Sequence, residues 1–200
     1  METLETRTIP FFPLPTVLFP HGPLPLRVFE PRYLDMVSRC MKGDTEFGVL
    51  LIQSGSDTGD ARMVSIGTTA RIQDWYQGSD GILGITAVGV RRFSTTSVHK
   101  AADGLYMGEV DFIESEPRQL LPEEYHQMAS LLEVVINDLG KLYENLEKHY
   151  DDATWVGRRY AEILPISQAQ KQHCLEMNDP LERLAFVRPL LRSIRQETRQ

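Results

Sequence analysis

The sequence predicts an α+β protein: a β-rich first part that closes into a small β barrel with one short packed helix, followed by a C-terminal α-helical bundle. Three observations carry this reading. Residues 1–117 hold 12 of the 14 glycines, which makes that part turn-rich. Its apolar residues alternate or fall in short blocks bounded by Gly, Pro, Ser and Asp, the pattern of strands. Beyond Pro122 the apolar period lengthens to that of a helix. The domain division follows: a β-barrel part over residues 1–117 and a helical part over 118–200.

In chain order, residues 10–33 form an apolar, proline-punctuated run that feeds into a helix. Each proline fixes φ near −65° and removes a backbone donor, so the run is expected as extended edge segments and turns. Phe11, Phe12, Leu14, Val17, Leu18 and Phe19 require burial. Residues 24–29 are a short strand, and Pro31 suits the first turn of a helix whose apolar side is Leu34, Val37 and Met41, with Gly43 as its stop. A buried strand over 46–53 precedes an exposed loop over 54–60. Strands at 64–75 and 82–93 flank a turn at 77–81, and Gly67, Gly84 and Gly89 inside them suggest the bulges or bends that close a barrel. In the strand 106–114, Tyr106, Gly108, Val110, Phe112 and Glu114 share a face.

In the second part, Tyr125, Met128, Leu132, Val135, Leu139, Leu142 and Leu146 are spaced alternately 3 and 4, a stripe along a helix of roughly six turns. Packing within the chain, rather than a coiled-coil dimer, is its simpler partner, because three helical segments follow. These lie around Trp155 to Leu164, after Ser167 with Gln170 in capping-box spacing, and after Asp179-Pro180, with Pro189 expected to kink or break the last.

Composition narrows the function classes. With 42% apolar and 24% charged residues in 200, the chain can bury a core. A net charge of −7 without clustered Lys and Arg disfavours nucleic acid and anionic membrane as partners. Cys40 and Cys174 fit no metal or redox spacing, no apolar run is long enough to span a membrane, and the acidic start lacks the order of a signal peptide. The expected setting is a reducing cytoplasm.

Candidate chemistry is sparse, and neither catalytic residues nor a cofactor are expected. Ser97 and Lys100 have the Ser-x-x-Lys spacing of some acyl-transfer enzymes but follow a β segment and lead into a loop, so they read as a polar loop rather than a nucleophile and base. The five histidines never stand in metal-ligand spacing, and no metal site is expected. Asp151-Asp152 beside Thr154 reads as a helix cap. The P-x-x-P matches at Pro10 to Pro13 and Pro20 to Pro23 have neighbours that require burial, so they are not read as exposed polyproline ligands. Candidate binding residues are Trp75, Tyr76 and Trp155, as an exposed apolar contact surface, and Arg91 with Arg92, near Arg71, as a basic strip.

The blocks Phe12-Pro-Leu-Pro-Thr-Val-Leu-Phe-Pro20, Phe29-Glu-Pro-Arg-Tyr33, residues 66–72, residues 81–93 and Tyr106-Met-Gly-Glu-Val110 occur in order. In that order they resemble the N-terminal, substrate-recognition domain of Lon-type ATP-dependent proteases, over roughly residues 7–200. The resemblance implies a PUA-like barrel followed by a helical bundle, in a family where this domain engages substrate proteins. Full-length members continue into an ATPase module and a Ser-Lys protease module; this sequence ends at Gln200 and contains no Gly-x-x-x-x-Gly-Lys-Ser/Thr loop, so it looks like a stand-alone Lon-domain protein.

The expected function is therefore that of a non-enzymatic module that holds unfolded or exposed hydrophobic protein segments in a crevice between the two parts, with a protease complex as a further expected partner. The alternative is a PUA-like RNA- or small-ligand-binding regulator.

Overall fold

The computed structural model describes residues 6–55 and 61–197. The chain divides into two units between Ser115 and Glu116. Most of the loop expected over 54–60 lies outside the described residues, as does the start of the chain.

The first unit is a seven-stranded sheet with one helix. Strand β1 (Arg7–Leu14) pairs antiparallel with β7 (Tyr106–Phe112) and parallel with β3 (Phe47–Ser54). This corrects the expectation of edge segments, and the stagger of the two pairings explains how prolines fit. Pro10 lies opposite Met107 of β7 alone and Pro13 opposite Leu50 of β3 alone, so each proline has a neighbour on one side. Only Phe11 is paired on both sides, with Tyr106 and Gly48.

The 18-residue β6 (Leu83–Lys100) is the spine of the sheet. Its first half pairs with β2 (Pro23–Val28) on one side and with β5 (Ile66–Gln77) on the other, and its second half pairs with β7. Inner β5 pairs with β3 through Thr68 to Ala70, and the two-residue β4 (Arg62–Met63) joins the end of β3. The pairings thus run β1–β7–β6–β5–β3 and return to β1. Phe11 and Phe93 stack inside at 5.7 Å, both fully buried. Gly67 and Gly89 serve close approach: a Cβ at Gly67 would lie 2.3 Å from the Val49 carbonyl oxygen, and one at Gly89 would lie 2.2 Å from that of Phe19. Of the two register shifts between β5 and β6, one lies at Gly89, between the pairs Thr68–Arg92 and Ala70–Gly89, with the extra residue on β6, and the other lies between Ile72 and Asp74 of β5; neither lies at Gly84.

Helix α1 (Pro31–Gly43) begins with Pro31 in its first turn and covers a second apolar cluster. Its buried face is Tyr33, Met36, Val37 and Cys40, one step round from the expected Leu34, Val37 and Met41; Met41 is 43% exposed. Both sets have helical spacing, and the stacking of Tyr33 on Phe12 at 4.0 Å accompanies the observed rotation. The left-handed residue that ends the helix is Asp44 (φ 47°), not Gly43.

The second unit contains a 3₁₀ turn (Glu123–Tyr125) and helices α2 (His126–Leu139), α3 (Lys141–Glu144), α4 (Ala153–Ile163), α5 (Gln168–Glu176) and α6 (Pro180–Glu197). Helix α4 packs against α2, α5 and α6. The single long helix expected over 125–146 is corrected: it breaks at Gly140, whose φ of 60° and ψ of −128° are a glycine conformation. The buried stripe is Met128, Ala129, Leu132 and Ile136, while Leu139 and Leu142 are exposed. A 3.5-residue spacing slips about 20° per heptad against a 3.6-residue helix, so within α2 the stripe drifts off the buried face by Leu139, while Leu142 lies beyond the break, in α3.

Caps follow the sequence closely. Asp152 Oδ1 accepts from the Thr154 N–H at 3.0 Å, Ser167 and Gln170 form a reciprocal capping box, and Asp179 Oδ1 accepts from Leu181 N–H at 2.7 Å. Pro189 neither ends nor interrupts α6, contrary to the expected break. The missing N–H deprives the Ala185 carbonyl of its helical partner, but both residues are exposed, so that part of the helix surface faces solvent rather than a dry core.

Both cysteines are free and buried. Burial raises the Cys40 thiol and pushes that of Cys174 up to about 11. The expected outcome with a chromogenic disulfide reagent at pH 8 is no titration of the native protein and release of two thiol equivalents in urea.

Candidate functional site

Outer β5 carries the exposed aromatics. Trp75 lies opposite Ile85 and Tyr76 opposite Gly84, so the two side chains leave opposite faces of the sheet. Trp75, 57% exposed, shares the face of fully buried Ile85, which belongs to the cluster under α1. Tyr76, 55% exposed, lies across Gly84 on the other face, where an added Cβ would meet its ring at 2.2 Å. A hollow of about 140 Å³ opens between the C-terminal turn of α1 and outer β5, lined by Met41, Asp44, Arg71, Asp74 and Trp75 among others. An exposed thioether and indole beside carboxylates can hold an apolar or cationic side chain.

The sequence-expected surface is thereby divided. Trp75 and Tyr76 are exposed but do not form one face. Trp155 is not surface: it is 4% exposed, with Tyr150 packed edge-on at 5.1 Å. Arg92, at 4% exposure, is likewise buried, and as Arg91's neighbour in β6 it points to the opposite face of the strand. The basic strip is also neutralised. The Glu46 carboxylate lies 3.2 Å from Arg71 Nη2 and 3.7 Å from Arg91 Nε, and Arg91 stacks over Phe112 at 3.5 Å. These groups line a groove of about 410 Å³, whose guanidinium groups at Arg71 and Arg91 are held by protein partners.

Ser97 and Lys100 belong to strand β6 rather than to a loop. Three residues apart on a strand, they leave opposite faces, and the Lys100 ammonium lies 5.1 Å from the Tyr106 ring centre. That is not the geometry of a nucleophile and its base. No metal-holding cluster occurs among the described residues, and no helix among them is long and apolar enough to cross a membrane.

The sequence reading missed the most strongly coupled charges, which are structural. Glu116 accepts from Arg158 Nη2 at 2.9 Å and from Arg183 Nη1 and Nη2 at 2.9 and 2.7 Å, all three side chains being buried. Burial opposes ionisation of Glu116, but the hydrogen bonds and charges of the two arginines outweigh it and hold the carboxyl below its ordinary value. Nearby, Tyr143 donates to Glu162 at 2.5 Å and Arg159 lies 3.2 Å from the same carboxylate. Arg158 has Thr154 and Glu162 one turn away on either side, a mixed face that gives no signal, whereas Arg183 stands one turn before Phe186 and Val187, which is the signal that could have found it.

Residues 8–193 match the ATP-dependent protease La (LON) substrate-binding domain. The chain belongs to this Lon substrate-binding domain family. A Lon N-terminal domain protein from Xanthomonas campestris superposes with a TM-score of 0.74 at 36% identity, covering 90% of this chain and 95% of that one. The N-terminal domain of the Mycobacterium avium complex Lon protease shares the fold at a TM-score of 0.56 and 16% identity, over 90% of this chain and 96% of that one. The Lon protease of Escherichia coli K12 is 25% identical over 96% of this chain but only 25% of its own length. The cereblon of Danio rerio is 30% identical over 60% of this chain and 28% of its own length. The chain spans about a quarter of the length of the Lon proteases it matches. What this Lon-family chain matches is their substrate-binding part, not their ATPase or protease modules.

Proposed function

We propose that this protein is a non-catalytic module that binds unfolded or exposed apolar segments of other proteins. The observation that carries the proposal is the exposed Trp75 at the margin of the core-side face, beside Met41, in a chain of the Lon substrate-binding family. An indole held on a strand with more than half its surface in water is a rigid aromatic anchor that loses little conformational freedom on binding. The circuit of strand pairings supports a PUA-like barrel in the first unit, and the packing of α4 on three other helices supports a helical bundle in the second. A Lon-type protease complex in the cytoplasm is the setting in which such a module delivers or holds clients. The neutralised arginines weigh against an RNA-binding role.

The test is a titration of fluorescently labelled, reduced and carboxymethylated α-lactalbumin, a permanently unfolded polypeptide, followed by anisotropy. Saturable binding is expected, and Trp75→Ala is expected to weaken it about tenfold, the effect of losing an aromatic anchor. Absence of binding overturns the proposal.

A further inference from the structure

Outer β5 has an open edge. Its inner residues Thr68 to Ala70 pair with β3, but among the described residues no strand pairs with 71–77 on that side; their ladder is to β6 alone. The first half of β6 is in turn paired with β2, so this part of the sheet has two edges, β2 and outer β5. The edges differ. β2 carries Pro23 and Pro25, which lack the N–H groups that a further strand would use. Outer β5 carries no proline, and the Trp75 N–H is held by the neighbouring carboxylate of Asp74, at 2.8 Å from Oδ1. That is a covering a competing carbonyl can displace, whereas a proline is not.

The hollow beside this edge is acidic. Its lining holds two carboxylates, Asp44 and Asp74, against one guanidinium, Arg71, which lies 3.2 Å from Glu46 and 4.0 Å from Asp44. Asp44 is 86% exposed. Carboxylates around an aromatic face suit a lysine or arginine side chain, through ion pairing and cation–π attraction.

Resting on the polypeptide-binding reading above, we propose that the ligand adds as an extended strand to the open edge of β5, with a basic side chain lodged in the hollow of Asp44, Asp74 and Trp75. Main-chain hydrogen bonds to the edge supply sequence-tolerant affinity, and the hollow supplies a preference for basic over acidic segments.

The experiment uses capped seven-residue peptides that alternate lysine and leucine. Binding is read from the emission of Trp75; the chain has two tryptophans, and Trp155 is buried. The unmodified peptide is expected to shift the emission to the blue, and Trp75→Phe to abolish that shift. Because alternate amides of an added strand face the protein, peptides N-methylated on the lysine amides and on the leucine amides are expected to differ in affinity about tenfold; a difference below threefold overturns edge addition. A glutamate and leucine peptide is expected to bind at least tenfold more weakly, and equal or tighter binding overturns the basic preference. If unfolded α-lactalbumin binds while the lysine and leucine peptide does not, the edge proposal falls and the module reading stands; if neither binds, both fall.

Discussion

Replacing Glu116 by alanine is expected to destabilise the second unit by about 3–5 kcal/mol, because it leaves two guanidinium groups buried without their carboxylate. Arg183 is 1% and Arg158 9% exposed, so water cannot take over the lost contacts. Arg183 keeps the carbonyls of Cys174 and Met177, at 2.8 and 2.6 Å, but these carry no compensating charge. Urea unfolding followed by circular dichroism at 222 nm measures the loss; a change under about 1 kcal/mol refutes the structural role. Replacing Glu116, Arg158 and Arg183 together by apolar residues of similar size is expected to cost far less, since no orphaned charge remains. The acid side gives an independent check. The carboxyl is depressed in the folded state, so its contribution is fully present above the ordinary carboxylate value and is lost as pH falls through the depressed value. The Glu116→Ala variant should therefore lose less stability between pH 6 and pH 3 than the parent.

Phe11→Ala is expected to cost the first unit about 3–5 kcal/mol, the range for emptying a fully buried aromatic site. Phe11 is 0% exposed, stacks on Phe93, and fills the space above Gly48 and Gly108, where an added Cβ would lie 2.6 Å from its ring. It is also the β1 residue paired to both neighbours, so loosening it affects the β1–β7 and β1–β3 ladders together. Denaturant titration of the parent and variant measures this loss. The complementary substitution supplies a coupling test: Gly48→Ala alone places its Cβ 2.6 Å from the Phe11 ring and 2.9 Å from the Phe93 ring, and in the Phe11→Ala background the closer of these collisions disappears. The double variant is therefore expected to be more stable than the sum of the single losses; strict additivity contradicts the contact.

Much of this protein is determined by its sequence read alone. Hydrophobic period separates a strand-forming part from a helix-forming part, because alternation and 3.6-residue spacing are local properties. Caps at Asp152, Ser167 and Asp179 are legible for the same reason, since each bond spans only two or three residues. The order of motifs from Phe12 to Val110 points to the family that the comparison shows over residues 8–193. Tertiary structure decides the rest. It decides which of two helical faces of α1 is buried, because Tyr33 stacks on Phe12 from a distant strand. It lets a proline-rich strand sit between two others, because their pairings are staggered around Phe11. It places Arg158 and Arg183 on Glu116, 42 and 67 residues away along the chain. The candidate site divides in the same way: the sequence singles out Trp75 and Tyr76 by residue type, but burial of Trp155 and Arg92, and the open edge beside Trp75, depend on strand partners and packing that no local pattern encodes.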